Sequence, residues 1–253
     1  MNLFLNHIYR YPIKGFSPDR LAKTQLETGQ TIVGDRKFSL ENGDSGFDIY
    51  DPQHTSKAKF IVLAKIAKAA SLNIIYDDAV EFITIKKHSK TLLEAELTTA
   101  SGIRDIEFFI NDYFDGDLKG DAKLLTADNH SFSDVKEKCI SIINLNSVRK
   151  FEADTGLTIN PIRFRCNLHI DGDLPPFDEL NMLGKTLNIG KAKLKIFKKI
   201  VRCPAVDVNP TTAMRDTDLN KALKQNYDHM YMGVYAMVEH GGNIAAGDKI
   251  SIS

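Results

Sequence analysis

Apolar and polar positions alternate through much of the chain, and this period of two predicts strands more often than helices. Near the start, Leu3, Leu5, His7 and Tyr9 fall on one side and Phe4 and Ile8 on the other. This reads as a strand that Pro12 stops, with Lys14 in the loop behind it. The turn signal Gly34-Asp35 opens a second alternating segment that reaches Leu40, in which Arg36 and Phe38 share a face and Lys37 takes the opposite one. Residues 81–86 and 94–99 read as two more strands. Residues 59–72 combine a continuous apolar run, Phe60-Ile61-Val62-Leu63, with helical spacing further on, and fit either element.

Helical spacing is confined to a few segments. Residues 104–114 place Ile106, Phe109, Ile110 and Phe114 on one stripe. Asn146 or Ser147 can cap a helix that carries Val148 and Phe151 and stops at Gly156. A third helix is expected over about 216–226. Residues 161–206 and 233–252 read as short strands with glycine turns, including one where Leu194 and Ile196 alternate with lysines. The pattern predicts a mainly β chain of β-barrel architecture with a few helices. The polar, glycine-containing stretch 115–121 is the expected boundary between a first domain over residues 1–120 and a second over 121–253.

Composition narrows the partners. In 253 residues, 33 basic side chains cancel 33 acidic ones, so no overall field favours nucleic acid or an anionic membrane surface, and neither is expected as a partner. Cys139, Cys166 and Cys203 are far apart and form no C-x-x-C pair, which argues against a disulfide framework or a zinc ribbon and for a reducing cytoplasm. Asn and His interrupt the apolar residues at the N-terminus, so no signal-peptide core is expected there. No stretch approaches the roughly 20 apolar residues of a membrane span. The histidines show no i, i+4 pair and none is assigned to a metal. Neither nucleotide-binding glycine motif is present.

Two segments carry candidate chemistry. Cys203 closes a run containing Lys191, Lys193, Lys195, Lys198, Lys199 and Arg202 with no acid among them. Positive surroundings favour the thiolate, the nucleophilic and metal-ligating form of cysteine. From spacing alone, a buried structural cysteine beside solvated lysines serves as well. Arg163 and Arg165 lie two apart and share a face if they belong to a strand, a fork suited to phosphate, although two salt-bridged surface arginines fit the same spacing.

These segments recur with others in a fixed order: Tyr-Pro-Ile-Lys at 11–14, Gly-Asp-Arg-x-Phe at 34–38, Ile-Asn-Leu-Asn-Ser at 143–147, Arg-Phe-Arg-x-Asn at 163–167, Phe-Asp-Glu at 177–179, Arg-Cys at 202–203 and Gly-Val-Tyr-Ala at 233–236. In this order the chain resembles the MOSC family, the molybdenum-cofactor sulfurase C-terminal domain, preceded by the N-terminal β-barrel domain that commonly accompanies it. Its layout is most similar to the amidoxime-reducing proteins of that family. The resemblance implies two β-barrel-like domains with a pyranopterin molybdenum cofactor between them. It implies Cys203 as the sulfur ligand of the metal and the catalytic centre. Lys14, Arg36, Arg163 and Arg165 match positions that neutralise the phosphate and orient the pterin, with Arg202 beside the cysteine. Gly15 stands where relatives often have Ser, which leaves its backbone N–H as the donor. Asn144, Ser147 and Asn167 fall where the family places polar groups around the pterin. Cys166 replaces a proline common in relatives and brings a second thiol near that site.

The implied activity is an oxidoreductase that reduces small N-hydroxylated or N-oxide substrates by oxygen-atom transfer. Three scattered cysteines cannot hold a four-cysteine iron–sulfur cluster, so the expected partner is a separate electron-donor protein of ferredoxin or flavin reductase type. The alternative is a sulfur carrier that holds a persulfide on Cys203, or a module that binds the cofactor without catalysis.

Overall fold

Strands from both ends of the chain meet in one closed sheet. A computed structural model of the chain describes residues 2–253. The first half supplies β1 (Leu3–Arg10), β2 (Asp19–Leu21), β3 (Lys23–Leu26), β4 (Ser39–Leu40), β5 (Asn73–Asp77), β6 (Phe82–Lys87) and β7 (Lys90–Glu96). Helix α1 (Ala100–Tyr113) and β8 (Leu124–Leu125) follow. The second half supplies β9 (Ile140–Asn144), α2 (Leu145–Thr155), β10 (Leu168–Gly172), β11 (Thr186–Ile189) and β12 (Ala192–Val201), then α3 (Leu219–Tyr227), β13 (Tyr231–His240), β14 (Gly242–Ala245) and β15 (Lys249–Ile252).

The main sheet runs β10-β9-β13-β12-β11-β15-β1-β2, and β10 also pairs with β1, which closes a ring of seven strands and leaves β2 appended. Every ring pairing is antiparallel except β9 with β10. Leu5, Ile142, Ile170, Leu194, Val234 and Ala236 fill the interior with other aliphatic side chains. The chain is thus mainly β, with three α-helices among the described residues. None of its described helices is long and apolar enough to cross a membrane.

Among the described residues one closed barrel forms. The first half instead builds an open antiparallel sheet, β5-β6-β7, against α1. Phe16, Phe38, Ile74, Ile83, Ile106 and Phe114 form that second core. A cut at residue 120 would divide the ring, because β1 pairs with β10 and β15, and β3 pairs with β14. The first strand's side chains close the barrel interior, and burial assigns it to the sheet that its pattern completes.

All three expected helices form, but α1 starts at Ala100 and not at 104, and Asn144, not Asn146 or Ser147, caps α2. Thr99 accepts the Gly102 N–H at 3.1 Å to cap α1, Asn144 accepts the Asn146 N–H at 3.1 Å to cap α2, and Asp218 accepts the Lys221 N–H at 3.1 Å to cap α3. Gly156 ends α2 at φ 68°.

Four local expectations change. A register shift between Leu5 and His7 puts Ile8 inside with Leu3 and Leu5, and leaves His7 and Tyr9 on the outer face. Residues 33–36 form a turn, with Arg36 at φ 51°, while Phe38 makes an isolated bridge to Ile13 ahead of the short β4, so Arg36 and Phe38 do not share a strand face. Residues 59–72 are neither strand nor α-helix: Phe60, Ile61 and Val62 are buried in an extended loop, and a 3-10 turn spans Ala67–Ser71. Pro161–Phe164 is also a 3-10 turn, ended by Arg165 at φ 53°, so Arg163 and Arg165 do not follow strand alternation.

Candidate functional site

A cavity of about 290 Å³ opens between the outer wall of the barrel and the first half of the chain. Lys14, Gly15, Asp35, Arg36 and Lys57 line it from one side. Ser141, Arg163, Arg165, Asn167, Lys198, Lys199, Arg202, Cys203 and Tyr235 line it from the other, and Asp134 reaches in from the loop before β9. Positive charge dominates: the only carboxylates in this wall are Asp35 and Asp134.

Two of these groups arrive by left-handed backbone. Arg36 and Arg165 both have φ above 50°, and both guanidiniums lie over the Tyr11 ring, at 4.7 and 4.3 Å from its centroid. Arg36 pairs with Asp35 at 2.5 Å and donates to the Arg165 carbonyl at 3.0 Å. Burial works against the Arg36 charge, but Asp35 outweighs it and raises the pKa. Arg165 has no carboxylate partner. It donates to the Phe16 carbonyl at 2.7 Å, and burial drives its pKa down to about 10, with neighbouring Arg36 adding to the fall. A cation desolvated without a counter-ion is an open seat for an anion.

The two lysines of the first half share one carboxylate. Lys14, 5% exposed, meets Asp134 at 2.5 Å and donates to the Phe132 carbonyl at 2.8 Å. Lys57 meets the other oxygen of Asp134 at 3.0 Å. Burial lowers the Lys14 pKa. For Lys57 burial also opposes the charge, but Asp134 and the adjacent Cys203 sulfur prevail and raise it. Burial tends to raise the Asp134 pKa, and the two ammonium groups overcome this and hold it well below the ordinary carboxylate range.

Other expected groups are fixed by the protein itself. Arg163 forks onto Asp216 at 2.7 and 2.9 Å and reaches the Asp207 carbonyl at 3.1 Å, while its buried Nε has no partner. Arg202 donates to the Met232 carbonyl from Nε at 2.7 Å, to the Phe164 carbonyl at 2.6 Å and to the Cys166 sulfur at 3.1 Å. Gly233, at φ 78°, makes room for this packing, since a Cβ there would collide with the Ile142 carbonyl. Gly15, at φ 87°, is required for the same reason against the Ile61 carbonyl, which explains why no side chain is carried there. Asn167 accepts from Ser141 Oγ at 2.7 Å and donates to the Tyr9 carbonyl at 3.0 Å.

Of the three thiols, Cys203 is half-buried and faces the cavity from the end of β12, just before the Pro204–Asp207 turn. Cys139 also lines the cavity but is buried, and burial pushes its pKa up to about 12. Cys166 is fully buried, absent from the cavity wall and held by Arg202.

Asn144 and Ser147, expected around the pterin, do not line the cavity. Asn144 caps α2 and donates to the Pro175 carbonyl at 2.8 Å, and Ser147 bonds both oxygens of Glu179 at 2.8 and 2.7 Å. They clamp the 172–181 turn to α2, a task their place at a helix start favours. Lys57, Asp134 and Ser141 join the site with no sequence signal that marks them, Tyr235 lies in the Gly-Val-Tyr-Ala motif, which does not single it out, and Lys198 and Lys199 gave only a basic run.

Residues 127–251 match the family model described as MOSC domain. The chain carries a MOSC domain. The matched segment supplies the six ring strands from β9 onward, and β1 from outside it closes the barrel. The MOSC domain is of molybdenum-cofactor-sulfurase type, which associates the chain with molybdenum-cofactor chemistry. Among solved structures, the YuaD protein of Bacillus subtilis is similar over 100% of this chain and 96% of its own, at 13% identity and TM-score 0.45. YiiM of Geobacillus stearothermophilus matches over 45% of this chain and 53% of its own, at 19% identity and TM-score 0.36. YiiM of Escherichia coli matches over the same shares, at 18% identity and TM-score 0.31. No curated protein matches the chain.

The residues of the cavity fit a phosphate-bearing pyranopterin molybdenum cofactor. Cys203 offers one soft sulfur ligand, Arg165 is a half-buried cation with no ion pair among the described residues, and the partnerless Arg163 Nε adds a buried donor. Among the described residues no group of three or more His, Cys, Asp or Glu could hold a metal by itself, so the protein would contribute a single ligand to a metal carried by an organic chelator.

Proposed function

We infer that this protein is a molybdenum-cofactor oxidoreductase that reduces small N-hydroxylated or N-oxide substrates. The observation that carries the reading is the half-buried Cys203 thiol in a cavity walled by cations, of which Arg165 forms no ion pair among the described residues. Bound there, a pyranopterin molybdenum centre supplies two-electron chemistry that takes an oxygen atom from the substrate. The chain supplies placement and charge, as proteins do for cofactors of this kind.

Cys203 ligates the metal, with the Lys57 ammonium beside it. Arg165 and Lys14 take the phosphate, with Arg36 held rigid between Asp35 and Tyr11 to buttress Arg165. Arg163 and Arg202 fix the Pro161–Phe164 and Pro204–Asp207 turns that present Arg165 and Cys203. The 253 residues hold no four-cysteine set, so electrons reach the site from a donor protein of ferredoxin or flavin reductase type.

The test is molybdenum and pterin content of protein purified from a cofactor-producing host, for the wild type and Cys203→Ala. The expected result is about one molybdenum and one pterin per chain, with molybdenum lost in the variant. A variant that keeps its metal would refute the ligand assignment. Cofactor-free protein with a reducible sulfur adduct on Cys203 by intact mass would replace this reading with the persulfide carrier.

A further inference from the structure

The cavity holds more positive charge than a phosphate and a metal ligand use, and the excess sits at its outer edge. Lys198 and Lys199 are sequence neighbours, and neighbours in a regular strand point to opposite faces. Here both line the cavity. The register of β12 against β13 shifts between Ile196 and Lys198 and again between Lys199 and Val201, and such bulges re-aim side chains. The same strand end leads through Arg202 to Cys203, so Lys198 and Lys199 belong to the same cavity wall as the candidate metal ligand.

Their charge is uncompensated. Lys14 and Lys57 share Asp134, Arg36 holds Asp35 and Arg163 holds Asp216. Among the described residues neither Lys198 nor Lys199 forms an ion pair, and Lys199 lies over the Tyr231 ring at 5.6 Å from its centroid. Lys198 is exposed and Lys199 half-buried, whereas Lys14, Arg163 and Arg202 are buried. Deep cations and mouth cations are therefore separate sets.

We propose that Lys198 and Lys199 select substrates that carry a carboxylate or comparable anionic group beside the N-oxygenated function. The reaction rests on the reading above, while the charge preference rests on the cavity alone.

A matched probe pair tests it: benzamidoxime and 4-carboxybenzamidoxime share the reacting group and differ in one carboxylate. Binding is measured by calorimetry on the purified protein, and turnover on the cofactor-loaded protein with reduced methyl viologen as donor. The carboxylated probe should bind about 10-fold more tightly at low salt. That ratio should fall toward one in roughly 0.5 M salt, where exposed charges are screened. It should also fall toward one in the Lys198→Gln/Lys199→Gln double variant, and survive in Lys198→Arg/Lys199→Arg. Lys193→Gln, on the same strand but outside the cavity, should keep it. Equal binding of the two probes by the unaltered protein overturns the proposal, as does a double variant that loses both alike. Preferential binding of the carboxylated probe with turnover of neither overturns the oxidoreductase reading and sustains the anion preference.

Discussion

Glu179 offers a direct measure of the electrostatics of this fold. Its side chain is 1% exposed, its two oxygens share the single hydroxyl proton of Ser147, it has no cation beside it, and burial pushes its pKa from 4.5 up to about 7. A carboxyl with a raised folded-state pKa binds protons more tightly when folded. Its stabilising contribution is therefore complete below the unfolded value and lost as pH rises toward the folded one. The shift of about 2.5 units from 4.5 to about 7 corresponds to about 3 kcal/mol once both states are ionised. Between about pH 5 and about pH 8, linkage predicts a loss of about 2 to 3 kcal/mol from this group alone. Glu179→Gln removes the titration and keeps the volume. It disturbs one hydrogen bond at a cost of about 1 to 2 kcal/mol that is the same at both pH values. Urea unfolding of both proteins at the two pH values isolates the effect, because the variant should gain about 2 to 3 kcal/mol on the wild type as pH rises. A variant-minus-wild-type difference that is equal at both values would refute the buried, unpaired carboxylate as the cause.

The remaining predictions probe the site and its supports. In native protein, iodoacetamide should label Cys203 alone, with Cys139 and Cys166 reacting only after denaturation, as peptide mass mapping will show. Gly233→Ala should destabilise the fold by at least about 2 kcal/mol, because the new Cβ meets the Ile142 carbonyl at a positive φ; an unchanged melting temperature would contradict this. Arg165→Met should leave the cofactor-free protein as stable or up to about 1 kcal/mol more stable, since it deletes a half-buried charge that no carboxylate pairs. The same variant should retain far less pterin when purified from a cofactor-producing host, and a variant that loses stability but keeps pterin would reverse the assignment.

The chain's alternation, its helix stripes and its caps are local properties, and they determined the element types without help from the fold. A helix carrying Val148 and Phe151, its stop at Gly156 and the strand-rich second half were legible this way, although its start falls at Leu145, before the expected cap at Asn146 or Ser147. So was the inventory of cations and the single thiol that closes a basic strand. Spacing could not show which cations meet, because that depends on backbone conformation and long-range pairing. Arg36 and Arg165 converge on Tyr11 only because each residue adopts a left-handed φ that tertiary contacts stabilise. Lys57 and Asp134 are 77 residues apart in the chain and become neighbours only when the two halves close on the cavity. Asn144 and Ser147 sit in a motif that resembles cofactor-binding segments, yet the helix start and the buried Glu179 use their polar atoms first. Strand bulges, which no periodicity reveals, moved Ile8 into the barrel and interrupt β12 on either side of Lys198 and Lys199, which both belong to the cavity wall. Periodicity records which face each residue prefers; register, ring closure and the pairing of charges are settled by the whole folded chain, because each depends on partners that are distant in sequence.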